Sequence, residues 1–497
     1  MKRFGKKSFL ILKNNSKTLR KFLGVLLFIC KENCDIISAK EEMFMQKTQI
    51  KDFTKGGITK PLLVFVWPLF LSNLLQVVYN MVDMIVVGNV LGKEGISAVS
   101  VGGDVTNLLT FISMGFANAG QVLIARYIGA GERKKIGRFV GTMCGFLFSC
   151  AVVLSVLGII FQDGMLKLMN TPAEAIDGAV RYSTVCMLGL VFIYGYNIVS
   201  AILRGMGDSK HPFVFISIAA VLNLILDIIF VGFFGWKESG AAFATIISQA
   251  VSFISCSAFL LKNKKQFELN ISKSDFLKWD KEMLSALVKL GTPMAIKTAS
   301  IQISKLFVNS WVNSYSVEVS AFAGIANKVS SISNLVSAAM NTGGSTMVGQ
   351  NLAAKEYGRV KRILKNLAVI TLSVASVLSV LIVLFPSEIF GIFTKEAEVL
   401  EIAGKFVPIA VLLLFGSAMR AIMNALLNGS GNYKINFVTA ILDGIIMRIG
   451  LSVLFGLVLD MKHYGFWLGD ALAGFTPFFI GIVYYATGKW KKDSYTK

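Results

Sequence analysis

Apolar residues along this chain fall into long runs separated by short charged segments. A helix needs about 20 mostly apolar residues to cross a bilayer. Runs of that length cover residues 61–90, 96–125, 136–160, 178–204, 212–235, 238–262, 285–314, 320–351, 363–386, 398–427, 434–460 and 464–488. Several exceed what a perpendicular span requires, which leaves room for tilt or bending. Gly and Ser recur inside them, as expected where helices pack closely in lipid. The pattern predicts an all-α integral membrane protein with twelve transmembrane helices.

Two short segments recur at one spacing. ARYIGAGERKKIGR at 125–138 resembles GQNLAAKEYGRVKR at 349–362, and LRGMGDSKHPF at 203–213 resembles LNGSGNYKINF at 427–437. Both pairs share an offset of 224 residues. The chain therefore divides into an N-lobe of six helices (61–262) and a C-lobe of six helices (285–488). A charged linker (263–284) joins them, with an amino-terminal arm (1–60) before and a tail (489–497) after. Six is even, so both halves enter the membrane from the same side. They are expected to be parallel repeats about an axis along the membrane normal, an architecture suited to rocking-type alternating access.

Composition agrees with a membrane protein. Of 497 residues, 54% are hydrophobic and 16% charged, against roughly 25% charged in soluble domains. The net charge of +21 raises the question of nucleic acid, and position answers it. With the amino terminus inside, about 38 of the Lys and Arg residues lie in the termini and even-numbered loops, and about 7 in the odd-numbered loops. Inside loops include Arg133 to Lys135, Lys262 to Lys281 and Lys355 to Lys365. This is the positive-inside pattern with both termini cytoplasmic, and no nucleic-acid partner is expected.

Cys144, Cys150, Cys186 and Cys256 lie in apolar runs and are expected to pack as small apolar residues, while Cys30 and Cys34 lack a second pair at metal-site spacing. No metal or redox role is assigned to any of them. Residues 1–44 flank two short apolar pieces with basic residues but show no signal-peptide pattern. They read either as a cytoplasmic, membrane-surface arm or as sequence upstream of the native start at Met43 or Met45, the second being favoured. The Gly-x-Gly segments at 205–207 and 429–431 follow no strand and lack phosphate-loop spacing, so they are expected to be tight turns.

Polar groups inside the spans carry the chemistry. An Asp at mid-membrane costs about 2.5–3.5 kcal/mol on insertion scales, so its presence calls for a function. The first half has Asp83 in span one, Asp227 in span five with Asn223 one turn earlier, and Thr245 in span six. At 1.5 Å per residue these lie about 10–18 Å from the outer ends of their helices. Two carboxylates facing one cavity cannot both ionise cheaply, and a proton, or Na⁺ taking oxygen ligands from these four residues, relieves the repulsion. Pro68 interrupts span one and is expected to bend it. The second half differs: its spans hold Lys297, Lys305, Lys328, Arg420, Asp443 and Arg448. Interhelical pairing is the simpler reading of these residues, and attraction of anionic groups the other. At the offset of 224, Asp227 falls on Leu451, so the acidic site is not duplicated.

These residues together resemble the multidrug and toxic compound extrusion (MATE) family. The resemblance covers 61–488 and rests on Pro68 with Asp83 and Gly88, the basic loop 126–138, the turn RGMGD at 204–208, and the Asn223/Asp227 pair, with Thr245 at the expected place in span six. It implies a V-shaped pair of lobes. It also implies a transporter rather than an enzyme, exporting cationic or amphipathic compounds in exchange for H⁺ or Na⁺, with no cofactor beyond that ion. It places the cation site on Asp83, Asn223, Asp227 and Thr245, and the bending proline at Pro68. It further implies a multi-pass protein of a prokaryotic inner membrane, in contact with membrane lipid and working as a monomer. Two departures stand out. Ile228 replaces the proline that often follows the span-five Asp, and Lys297 and Lys305 occupy span seven where some branches carry an acidic residue. First-lobe coupling is therefore expected. The competing readings are a lipid-linked saccharide flippase of the same superfamily, an integral-membrane enzyme, and a channel. An enzyme is disfavoured because His211 and His463 fall on opposite sides of the membrane and the loops hold no paired acidic motif.

Overall fold

A computed structural model describes residues 50–491 except Asn170 and Lys395. The expectations for residues 1–44, including Cys30 and Cys34, lie outside the described residues. Twelve helical rods follow one another: α1 Thr59–Gly92, α2 Glu94–Gly129, α3 Lys134–Leu168, α4 Ala173–Leu188 with Leu190–Gly205, α5 Lys210–Phe233 and α6 Lys237–Lys262. The second half has α7 Lys281–Asn313, α8 Val317–Ala353, α9 Tyr357–Leu384, α10 Ala397–Gly429, α11 Tyr433–Val458 and α12 Lys462–Ala486. Nine are long and apolar enough to cross a membrane, and α4, bent 50° at Gly189, makes a tenth. The other two, α7 and α8, fall short because Lys289, Lys297, Lys305 and Lys328, with many Ser, Thr and Asn, interrupt their apolar character. They are also the helices of the second half that pack most extensively against α1 and α2, so their polar faces meet protein and the cleft between the halves.

The chain turns from α1 into α2 at Gly92, whose φ of +70° a residue with a Cβ rarely adopts. The halves then meet through the linker-side ends of α1, α2, α7 and α8. A Cβ on Gly129 would sit 2.0 Å from the Gln350 carbonyl oxygen, and one on Gly115 would sit 2.4 Å from Ala295 Cα. Such approach requires glycine. Cross-half hydrogen bonds gather at the same end: Gln121 Nε2 donates to Thr346 Oγ1 at 2.6 Å, and Arg126 donates to the Ser430 carbonyl. Residues 51–56 strap the halves together there. Gln350 accepts from the Phe53 N–H at 2.8 Å, Lys51 N–H donates to the Met206 carbonyl at 3.0 Å, and Arg359 donates to the Phe53 and Gly56 carbonyls. Toward the other end Met81, Met84, Ile85, Ile303, Leu306 and Ile332 are exposed. The lobes thus join at the linker end and diverge away from it, forming a V. The linker itself docks on α3, with Arg133 paired to Glu268 at 2.8 Å and Arg138 to Asp280 at 3.1 Å.

Both Gly-x-Gly segments are turns, and Gly207 and Gly431 carry the same positive φ (86° and 70°). Gly131 and Lys355, also 224 residues apart, match likewise (76° and 61°). After α5 and α11 the register changes by one residue. Gly235 and Lys237 at the end of α5 correspond to Asp460 and Lys462 at the end of α11, all with positive φ. The cause is local: α5 has one π-helical stretch, Ile228–Phe233, whereas α11 has two, Leu442–Ile446 and Leu454–Val458. A π turn accommodates one inserted residue, and such turns are frequent at functional sites. Beyond the insertion Asp227 therefore corresponds to Ser452, rather than to Leu451 as a uniform offset gives.

Candidate ion-coupling site

Asp83, Asn223, Asp227 and Thr245 come together in the first lobe. Asp227 is the last α-helical residue of α5 before the π stretch begins. It is fully buried, and Asp83 and Asn223 retain only 7% and 2% exposure. The carboxyl groups of Asp83 and Asp227 face each other within hydrogen-bond reach. Asn223 links the second of these to α6: its amide donates to Asp227 Oδ2 at 3.3 Å and accepts from the Thr245 N–H at 3.2 Å. One oxygen of each aspartate, Oδ1, has no hydrogen-bond partner among the described residues. Buried acceptors of this kind need a partner. Two facing carboxyls with spare oxygens, an amide and a hydroxyl form an oxygen-rich pocket suited to a proton or a small hard cation. Among the described residues no three His, Cys, Asp or Glu side chains converge as a transition-metal site would require.

Two tyrosines complete this pocket and are not distinguished in the sequence from packing aromatics. Tyr182 of α4 is buried within reach of Thr245 and Cys186, and Tyr79 of α1 stands beside both aspartates. Cys186 is a free buried thiol, like Cys144 and Cys256. Pro68 lies inside α1, where its carbonyl accepts from Ser72 Oγ at 2.8 Å. The only non-helical backbone between Thr59 and Gly129 is at Gly92.

The charged residues of the second lobe form a separate network. Arg420 and Arg448 both reach Asp443 Oδ1, at 3.1 and 3.3 Å, and Arg448 also pairs with Asp470 of α12. Asp470 went unnoticed in the sequence, although it stands in span twelve at the place equivalent to Thr245 once the extra π turn is counted. Lys297 donates to Asn424 Oδ1 at 2.5 Å. With Gln121, Asn341 and Asn428 it lines a polar cavity between the lobes. Lys305 lines a second cavity, inside the C-lobe, and Lys328 is exposed on α8. The structure therefore brings Lys305, Arg420, Asp443 and Arg448 into one neighbourhood and leaves Lys328 at the surface.

A helical V with an acidic site in one lobe and a polar cavity between the lobes defines a class of membrane transporter. The MatE family model matches residues 68–229 and again 293–454, and the chain belongs to that family. It is a transporter and not an enzyme. It is 30% identical over 450 residues to "Probable multidrug resistance protein YoeA" of Bacillus subtilis (strain 168), covering 89% of this chain and 96% of that protein. It is 27% identical over 441 residues to "Probable multidrug resistance protein YpnP" of the same organism, covering 88% and 97%. Its fold matches the "Crystal structure of MATE in the bent conformation" with a TM-score of 0.81 at 21% identity, over 90% of this chain and 99% of that one.

Proposed function

We propose that this chain exports cationic and amphipathic small molecules across the cell membrane in exchange for H⁺ or Na⁺, by alternating access. The observation that carries the reading is the pair of buried, facing carboxyls Asp83 and Asp227, each with an unpartnered oxygen. The names of the two Bacillus proteins support small-molecule export. The Lys and Arg distribution supports cytoplasmic termini, which puts the linker end inside and makes the diverging ends an outward-open cleft.

In this reading the ionised pair attracts an organic cation entering the cleft. Arrival of H⁺ or Na⁺ from outside neutralises the pair, with Asn223 and Thr245 completing the oxygen set. The substrate then leaves outward. Rearrangement of α1 about Pro68 lets the lobes rock, and the ion is released inside. An ion drives this cycle only by binding one facing state better than the other. The transporter works as a monomer in contact with lipid and needs no further cofactor.

Purified protein in liposomes tests the proposal. A pH gradient and a Na⁺ gradient are imposed separately while a fluorescent organic cation is followed. Movement driven by one gradient, and lost in Asp227→Asn, is expected. Equal movement in wild type and variant removes Asp227 from the mechanism.

A further inference from the structure

The two lobes present equivalent pockets with opposite charge. With the extra π turn of α11 counted, Asn223 corresponds to Arg448, Asp227 to Ser452 and Thr245 to Asp470. At the register that aligns Pro68 with Pro293, Asp83 corresponds to Val308, and Lys305 lies one turn before it on the same helix face. Where the first lobe gathers carboxyls, the second gathers cations.

The C-lobe cavity holds more cations than carboxylates. Lys305, Arg420 and Arg448 line it against a single carboxylate, Asp470. Both arginines are already engaged by Asp443, which lies behind the cavity. Lys305 stands near Asp470 but makes no hydrogen bond or ion pair among the described residues. Asn309 and Asn334, also lining the cavity, act only as acceptors: Asn309 from Asn327 at 3.4 Å, Asn334 from Ser417 at 3.2 Å. Their amide nitrogens remain available. Asn327 and Asn334 are exposed and stand at the rim, while Phe406 and Trp467 form an apolar wall.

We propose that this C-lobe cavity binds the oxyanion group, carboxylate or phosphate, of an amphiphile. Lys305 supplies the charge, the amides of Asn309 and Asn334 orient the group, and the apolar body lies against Phe406 and Trp467. Lys305 is half-buried in the cavity wall; a cation drawn out of water without an acceptor is costly, and an oxyanion satisfies it with charge-assisted hydrogen bonds. This inference goes beyond ion-coupled export, and binding can be measured whether or not export is ion-coupled.

The test uses Trp467 as reporter and bromine as quencher. Purified protein is titrated with 11-bromoundecanoate and, separately, with 11-bromoundecyltrimethylammonium. Saturable quenching by the carboxylate alone, absent in Trp467→Phe, is expected. Lys305→Gln should weaken carboxylate binding roughly tenfold or more, and Lys305→Arg should restore most of it. A second arm uses nanodiscs of phosphatidylcholine doped with brominated-chain phosphatidylglycerol. Quenching there assigns the oxyanion to a lipid headgroup, and quenching by the free carboxylate only assigns it to a soluble amphiphile. The proposal is overturned by equal quenching from the ammonium probe, by unchanged carboxylate affinity in Lys305→Gln, or by no quenching in either arm. The comparison of probes on the unaltered protein stands even if a variant fails to fold.

Discussion

Gln121 of α2 donates to Thr346 of α8 at 2.6 Å, and this bond joins the two lobes at the one end where they touch. Both side chains are buried. Gln121 is held in place by Arg204, which donates to its carbonyl oxygen at 2.9 Å. Loss of a neutral hydrogen bond of this kind costs about 1 kcal/mol, enough to shift a two-state equilibrium about fivefold. Gln121→Leu is therefore expected to populate states in which the linker end opens. Spin labels at exposed Lys134 and Lys361 should show a longer-distance population in the variant that the parent lacks. Identical distance distributions would remove this bond from the gate.

Gly129 offers a harsher test of the same closure. An added Cβ meets the backbone oxygen of Gln350 rather than a movable side chain. Gly129→Ala must push α2 and α8 apart or strain both, at a cost of about 1–3 kcal/mol. The same labels are expected to report a larger shift than Gln121→Leu produces, with a lower thermal midpoint.

The C-lobe ion network predicts an asymmetry between single and combined changes. Removing one partner of a buried pair costs about 3–5 kcal/mol because the other charge is left behind. Arg448→Met and Asp470→Asn should each lower the thermal midpoint of the purified protein markedly. Arg448→Met combined with Asp470→Asn should cost less than the two single losses added together. Strict additivity would mean that the pair is not coupled.

Tyr182 lies within reach of Thr245 at the first-lobe site. If it helps to hold that side of the pocket, Tyr182→Phe should weaken apparent coupling-ion affinity by a factor of about 3–10 while leaving the fold intact. The measurement is the H⁺ or Na⁺ concentration giving half-maximal efflux in liposomes. No change would reduce Tyr182 to packing.

Much of this was legible in the sequence because lipid imposes simple rules. Long apolar runs gave the helices, and an Asp in such a run is costly enough that Asp83 and Asp227 stood out. Asn223 and Thr245 followed from helix periodicity and depth. Tyr182 and Tyr79 did not, since an aromatic in an apolar run looks the same whether it faces a site or a neighbour. Asp470 was missed for a different reason. A uniform offset of 224 hides a one-residue insertion, and only the extra π stretch of α11, Leu442–Ile446, reveals that Thr245 and Asp470 are counterparts. The strap at 51–56 was also illegible, because its hold on Gln350 and Arg359 runs through backbone carbonyls and amides that every sequence possesses.

In the proposed cycle, ion and organic cation exclude each other at Asp83 and Asp227. The most direct measurement is calorimetric titration of the purified protein with an organic cation, repeated in buffers of different ionisation enthalpy and at several Na⁺ concentrations. Competition predicts that binding releases a proton, or weakens in proportion to Na⁺, and that Asp227→Asn abolishes that linkage. Cation binding with no proton release and no dependence on Na⁺ would contradict the account.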